Sequence, residues 1–378
     1  MPDSSPPALA HTPLFDLHRE LGARIVPFAG YAMPLHYPQG ILQEHHHTRA
    51  EASLFDVSHM GQVRLDGPGA PMALEGLTPA DVVDLGPLRQ RYALLTDESG
   101  GILDDAMVTC GGDHWLLVVN AARKAFDVAH LEAHLAGRCG VTAPGDRALL
   151  ALQGPGAAAA LATLAPAVID LPFMAATTVD LQGAPCLVSR SGYTGEDGFE
   201  LSLPEAVAEA VARQLLALEG VAPAGLGARD SLRLEAGLCL YGQDLDTTTT
   251  PVEASLAWAI GKARRPGGPR AGGFLGSEVI LRQLAAGPQR RRVGLLPRGR
   301  APVRGGTVLA DGDGRPVGQV TSGGFGPSVT RPIAMGYVAT TTAKPGTILY
   351  ADLRGRSVAL EVAPLPFVTP RYHRRKAP

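Results

Sequence analysis

The chain has 378 residues, of which 45% are hydrophobic and 19% charged. That length holds about two to three domains at roughly 150 residues each, and the composition excludes a disordered chain. Lys plus Arg total 34 against 36 Asp plus Glu, a net charge of −2, which lacks the basic excess that marks a nucleic-acid or anionic-membrane partner. The four cysteines, Cys110, Cys139, Cys186 and Cys239, form no CxxC pair. They read as reduced thiols, and a cytoplasmic location is expected.

The N-terminal MPDSSPPALAHTP has no basic n-region and no long apolar run, so no signal peptide is expected. Gly100 to Asp105, GGILDD, sets two acids after an apolar pair. On a strand, Asp104 and Asp105 point to opposite faces. One would be solvated and the other can enter a cavity. Trp115 to Asn120 reads as a buried strand. Residues 123–136 place Phe126, His130 and Leu135 near one helical face, with Gly137 as the stop. The stretch Gly156 to Thr177 is mostly Ala and is cut by Pro166, Asp170 and Pro172, so it fails as a membrane span. Cys186 to Arg190 and Phe199 to Leu203 read as strands around the loop SGYTGEDGFE, Ser191 to Glu200. Residues 205–219 form a clearer helix, with Val207, Val211, Leu215 and Leu218 on one stripe and Gly220 after its end. Ala228 to Gly242 reads as a short helix carrying Arg229 and Arg233 on one face. ARRPGGPRAGG at 263–273 reads as an exposed connection. Beyond residue 288 the pattern is β. Val293–Leu296, Val317–Thr321, Ile333–Val338, Ile348–Tyr350 and Val358–Val362 are strand candidates with turn signals between them, which suggests a small antiparallel barrel or sandwich.

His45, His46 and His47 are consecutive. On a helix they splay by about 100° each, so they cannot share one metal, and no HExxH motif occurs. No metal site is expected. The SGYTGEDGFE loop allows close backbone approach through its glycines. Its acid at the strand start can accept two hydrogen bonds from an N–H-rich ring, or the loop is an ordinary acidic hairpin. Arg229 can bind a carboxylate bidentately, or pair with Asp230 or Glu235 at the surface. There is no GxxxxGK[ST] loop, no GxSxG elbow and no dinucleotide fingerprint.

Taken in order, PFAGYAMP (27–34), SLFDVSHMG (53–61), GGILDD, ALQGP (151–155), LPFM (171–174), SGYTGEDGFE, ARDSLRLEAGLCLYG (228–242), TTPVEA (249–254), WAIGK (258–262), VTSGG (320–324), IAMGYV (333–338) and LPFV (365–368) span nearly the whole chain. This series resembles the glycine cleavage aminomethyltransferases, the T-protein family. The resemblance implies an α+β fold of three domains in a ring around a central folate cavity, with a C-terminal small antiparallel β-barrel. Residues 1–280 would form the folate-binding region as two interleaved subdomains, and 288–378 the barrel domain. It implies transfer of the carbon of an aminomethyl group from the lipoyl arm of H protein to tetrahydrofolate, releasing ammonia. The partners implied are lipoylated H protein and tetrahydrofolate, with no metal, nucleic acid or membrane.

Carried over residue by residue, the resemblance makes Asp105 the catalytic carboxylate. Glu200 matches the acid that binds the pterin ring, Tyr193 a cavity-lining aromatic, and Arg229 a folate-contacting Arg. Tyr92 and Asn120 fall where the family lines its cavity, and Tyr372 matches a Tyr that follows LPFV. Two departures stand out. The tail reads LPFVTPRYHRR without paired tyrosines, and GPSVTRPIAMG lacks the family's usual Lys. Two other readings share parts of the pattern. A tetrahydrofolate-dependent demethylase of the same superfamily would keep the folate motifs and change the donor. A folate-binding accessory protein in RNA modification or iron–sulfur maturation would carry a KGCYxGQ-like motif, which GLCLYGQ (237–243) resembles only faintly, lacking the Lys and spacing Cys differently from Tyr.

Overall fold

The computed structural model describes residues 8–374. Residues 1–7 of the N-terminal segment and 375–378 of the expected barrel domain lie outside the described residues. Three sheets organise the rest. A five-stranded sheet has the order Gln90–Thr96, Ile102–Cys110, His114–Val119, Gly61–Asp66, Gly140–Thr142. A six-stranded sheet runs Ala176–Leu181, Ala184–Ser189, Gly198–Pro204, Arg147–Gln153, Ala52–Asp56, Val221–Pro223. Its last pair is parallel and the rest antiparallel. A closed antiparallel barrel joins Arg290–Pro297, Arg331–Ala339, Pro316–Gly326, Val308–Ala310, Ile348–Asp352 and Ser357–Ala363.

Each sheet buries its own apolar face. Leu150, Leu152, Phe199 and Leu201 of the six-stranded sheet pack with Val211 and Leu215 of the helix Glu205–Leu216. Val63, Leu65, Val108 and Leu117 of the five-stranded sheet pack with Leu131 and Leu135 of the helix Lys124–Leu135. The barrel closes on Val293, Leu295, Val320, Val338 and Leu360. Side chains of this size contribute about 1.5–3 kcal/mol each when fully buried, so these clusters supply most of the driving force. The barrel docks onto the remainder through Tyr337, which packs with Leu94, Ile102 and Leu245. Its hydroxyl donates to the Asp244 carbonyl at 2.7 Å.

The five expected C-terminal strands are present, and Val308–Ala310 is a sixth. The expected helix over 228–242 is shorter, Leu226–Glu235. Gly237 ends it with a φ of 67°, which only Gly adopts without cost. The connection at 263–273 is not simply exposed. Arg264 is buried against Glu75 at 3.0 Å, and Arg270 bonds Glu75, Asp81 and Asp84. Among the described residues no helix is long and apolar enough to cross a membrane.

Candidate active site

Asp105 lies in the strand Ile102–Cys110, between the strands that carry Tyr92 and lead into Asn120. Tyr92 donates its hydroxyl to Asp105 Oδ2 at 2.9 Å. Asn120 donates its side-chain amide to Asp105 Oδ1 at 2.7 Å. Both bonds favour the carboxylate form. Burial and the neighbouring Asp104 oppose them and push Asp105 up to about 7. The expectation that one of the two acids would be solvated is corrected here. Asp104 is fully buried, because its face of the sheet is covered by the helix Lys124–Leu135. It accepts from Asn120 N at 3.0 Å and from Asn120 Nδ2 at 2.9 Å.

Glu200 lies in the strand Gly198–Pro204, paired with Ser189 on one side and Ala151 on the other. It accepts a 3.0 Å bond from Ser191. Burial raises its pKa, while Arg229 and Ser191 act to lower it. The other two acids of the loop are ion-paired. Glu196 meets Arg49 at 2.8 Å and Arg371 at 2.6 Å, and Asp197 meets Arg190 at 2.6 Å. The loop is therefore clamped by salt bridges, and Glu200 is the acid left for a ligand. Arg229 projects from the first turns of Leu226–Glu235. It lies over the Tyr193 ring at 4.7 Å, and its Nη1 is buried without a hydrogen-bond partner among the described residues. It does not pair with Asp230 or Glu235. That pairing falls to Arg233, which meets Asp230 and Asp244 at 2.8 Å each. Tyr193 donates its hydroxyl to the Cys239 carbonyl.

The two groups are linked through Cys239, whose carbonyl accepts from Tyr193 and whose cluster packs against Tyr92. Tyr372 stands apart from both. It stacks on Phe173 at 4.3 Å, and Arg371 beside it donates to the Gly195 carbonyl at 2.8 Å. The tail thus covers the SGYTGEDGFE loop. Sequence reasoning missed Trp258, which stacks on Tyr92 at 5.3 Å with 64% of its surface exposed. A lone Trp in WAIGK carries no spacing signal. A surface depression beside it, lined by Val252, Gln283, Leu284 and Arg291, holds none of the expected site residues. The consecutive histidines serve packing. His45 meets Ser231 at 2.7 Å and Ser328 at 2.9 Å, His47 meets the carbonyls of Ala52 and Gly220, and His46 is exposed.

A carboxylate gripped by two donors, an acid with one protein donor and a buried guanidinium over the Tyr193 ring suit group transfer to or from a polar ligand. The GCVT N-terminal domain matches residues 14–264, and the glycine cleavage T-protein C-terminal barrel domain matches residues 290–369. The chain belongs to the glycine cleavage aminomethyltransferase family. It is a tetrahydrofolate-dependent transferase with the α+β fold and C-terminal barrel expected. It is 45% identical to a probable mitochondrial aminomethyltransferase of Schizosaccharomyces pombe, over 97% of this chain and 95% of the relative. It is also 45% identical to the mitochondrial aminomethyltransferase of Solanum tuberosum, over 97% and 91%. The crystal structure of glycine cleavage system aminomethyltransferase T from Bartonella henselae superposes with a TM-score of 0.92 at 46% identity, covering 97% of this chain and all of that one.

The cytoplasmic expectation is corrected by these comparisons, because the curated relatives are named mitochondrial. The four cysteines are indeed unpaired. Free thiols exclude a disulfide framework but do not choose among reducing compartments.

Proposed function

We propose that this chain moves the methylene carbon of an aminomethyl group, presented on the lipoyl sulfur of H protein, to tetrahydrofolate. Residues 1–280 would form the folate-binding region and 288–378 the barrel domain that closes it. The observation that carries the reading is the Asp105 carboxylate, held by Tyr92 and Asn120, together with Glu200 and with Arg229 over the Tyr193 ring. The fit to a reduced folate rests on unspent groups. Glu200 accepts only from Ser191, so it can take an N–H and an amino group from one pterin edge. Arg229 Nη1 has no partner among the described residues and can take a folate oxygen or carboxylate. Tyr193 presents a flat ring beside them, and Tyr372 would hold the tail over the same loop.

Tetrahydrofolate supplies two nucleophilic N–H groups, and their balance defines the residues' work. Two folate N–H bonds and the donor C–S and C–N bonds break. Two C–N bonds to folate form. One proton ends on the lipoyl sulfur and one on the departing ammonia. Asp105 faces the positive charge that develops on the donor carbon as sulfur leaves, and a fixed anion in a dry site acts strongly there. Asp105 then accepts the proton of the attacking folate nitrogen and returns it to the amine. Tyr92 and Asn120 keep the carboxylate aimed and ionised. The test mixes the protein with tetrahydrofolate and aminomethyl-loaded H protein and measures ammonia release. Release that depends on both substrates supports the reading. No ammonia above background, with folate still bound, would favour the demethylase alternative.

A further inference from the structure

Behind Asp105, on the opposite face of the sheet, lies a second set of acids that the reaction above does not use. Asp104 lies on the face covered by the helix Lys124–Leu135, which carries Asp127, and both are 0% exposed. Neither oxygen of Asp127 has an N–H or O–H donor among the described residues. Yet its carboxyl is within hydrogen-bond reach of Asp104. Two carboxylates are acceptors only, so such a contact forms only when one carries a proton. Ionising both would place two bare charges in a dry pocket. Asp104 is in turn tied to Asn120, and the same Asn120 amide reaches Asp105 at 2.7 Å.

We propose that Asp104 and Asp127 hold one proton between them through the neutral range, and that its position sets the acidity of Asp105. They are positioning residues that act through Asn120, and the proposal rests on the reading of Asp105 as the catalytic carboxylate. The other groups facing the pair are few. Arg123 donates to the Leu103 carbonyl at 3.0 Å and attracts Asp127. Tyr241 donates to the Ile102 carbonyl at 3.2 Å, and burial, with a smaller push from both acids, raises its pKa. His130, further along the helix, is driven down to about 4 by burial and stays neutral. Asp105 is the remaining neighbour. Burial and the facing Asp127 push Asp104 to about 8, while Asp127 reaches about 6. Both stand well above the ordinary carboxyl value, so one proton stays with the pair and the remaining charge is shared behind Asp105.

The test reads the acid limb of kcat/KM for ammonia release. Asp127→Asn supplies an amide N–H to Asp104 and lets it ionise. The charge then moves next to Asn120, and the limb shifts alkaline by about one pH unit, roughly tenfold in rate at a fixed acidic pH. Asp104→Asn keeps that position neutral, so its limb stays in place or moves acid. A pair that only packs would lower stability and leave both limbs where the wild type has them, and that result overturns the proposal. A second measurement needs no turnover. Carbon-13-labelled aspartate in the Asp105→Asn protein should show one carboxyl still protonated at pH 7, lost in Asp105→Asn/Asp127→Asn. Full ionisation of every aspartate at pH 7 overturns the shared proton. Should Asp105→Asn keep its turnover, the reading of Asp105 fails, while the labelled-carboxyl titration still decides the pair.

Discussion

Asn120 donates its side-chain amide to Asp105 at 2.7 Å, from the position just past the neighbouring strand. That bond and the one from Tyr92 leave the carboxylate no freedom to turn away. Asp105→Asn keeps the shape and removes the charge. Its turnover should fall about 10²- to 10³-fold, the usual cost of losing one preorganised electrostatic group. Tetrahydrofolate affinity, measured by calorimetry, should stay within a few-fold. Turnover within twofold of the wild type would remove Asp105 from the chemistry.

The pH profile follows from the same carboxyl. Burial and Asp104 push it to about 7, so below that pH it carries a proton and cannot accept another. The kcat/KM for ammonia release should therefore drop as pH falls through about 7. Tyr92→Phe keeps the ring against Trp258 but removes a donor that favours the charged form. Its acid limb should move to higher pH. A limb that stays fixed in Tyr92→Phe would show that the phenol does not govern this titration.

Glu200 predicts a different phenotype. Its carboxylate has one protein donor, Ser191, and so keeps capacity for a ligand. Glu200→Ala should weaken tetrahydrofolate binding by about 10- to 100-fold, from roughly 1.5–3 kcal/mol for hydrogen bonds to a charged group. Turnover at saturating folate should change less. Calorimetric titration checks it, and unaltered affinity would take Glu200 out of the pterin site.

These residues differ in how readable they were. Strand alternation separated Asp104 from Asp105, but the burial of Asp104 depends on a helix that follows in sequence and packs across the sheet. The amphipathic stripe of Glu205–Leu216 was plain because Val211 and Leu215 repeat with the helical turn. Val308–Ala310 was missed because it is three residues long and begins with an exposed Val308. The arginines of 263–273 looked solvated because their partners, Glu75, Asp81 and Asp84, lie far away in sequence. The site itself gathers Tyr92, Asp105, Asn120, Glu200 and Arg229 from separate segments. Local pattern proposes each of them only weakly, and their ordered resemblance to a family supplied the grouping.

Glu235 ties three parts of the molecule together. It meets Arg49 at 2.9 Å and His45 at 3.1 Å, and it accepts from the Ser328 backbone at 2.7 Å. Burial raises its pKa, but these partners outweigh it and hold the carboxyl at about 2. Such a depressed acid stabilises the fold above its ordinary pKa and loses that contribution as pH falls toward 2. Glu235→Ala leaves Arg49 paired only with Glu196 and frees His45 and the Ser328 amide, and should cost about 1–3 kcal/mol, read as a lower denaturation midpoint at pH 7. The difference from wild type should shrink on acidification. An unchanged midpoint at pH 7 would mean the network contributes nothing net.

Asp105 carries the opposite sign. Its folded pKa of about 7 lies above the ordinary 3.8, so the folded chain holds a proton that the unfolded chain has released. Stability is therefore lost as pH rises between those values, and the full cost stands above about 7. At about 1.4 kcal/mol for each pH step separating the two values, that cost is up to about 4 kcal/mol. Asp105→Asn removes the charge while keeping an oxygen to accept from Tyr92. The variant should melt higher than the wild type at pH 8 and converge with it toward pH 4, measured by thermal denaturation across that range. The gain in stability would accompany the loss of turnover, as expected where an enzyme keeps a buried charge for its chemistry. A variant no more stable than wild type at pH 8 would mean that Asp105 is solvated in the folded protein, and that its pH dependence must come from another group.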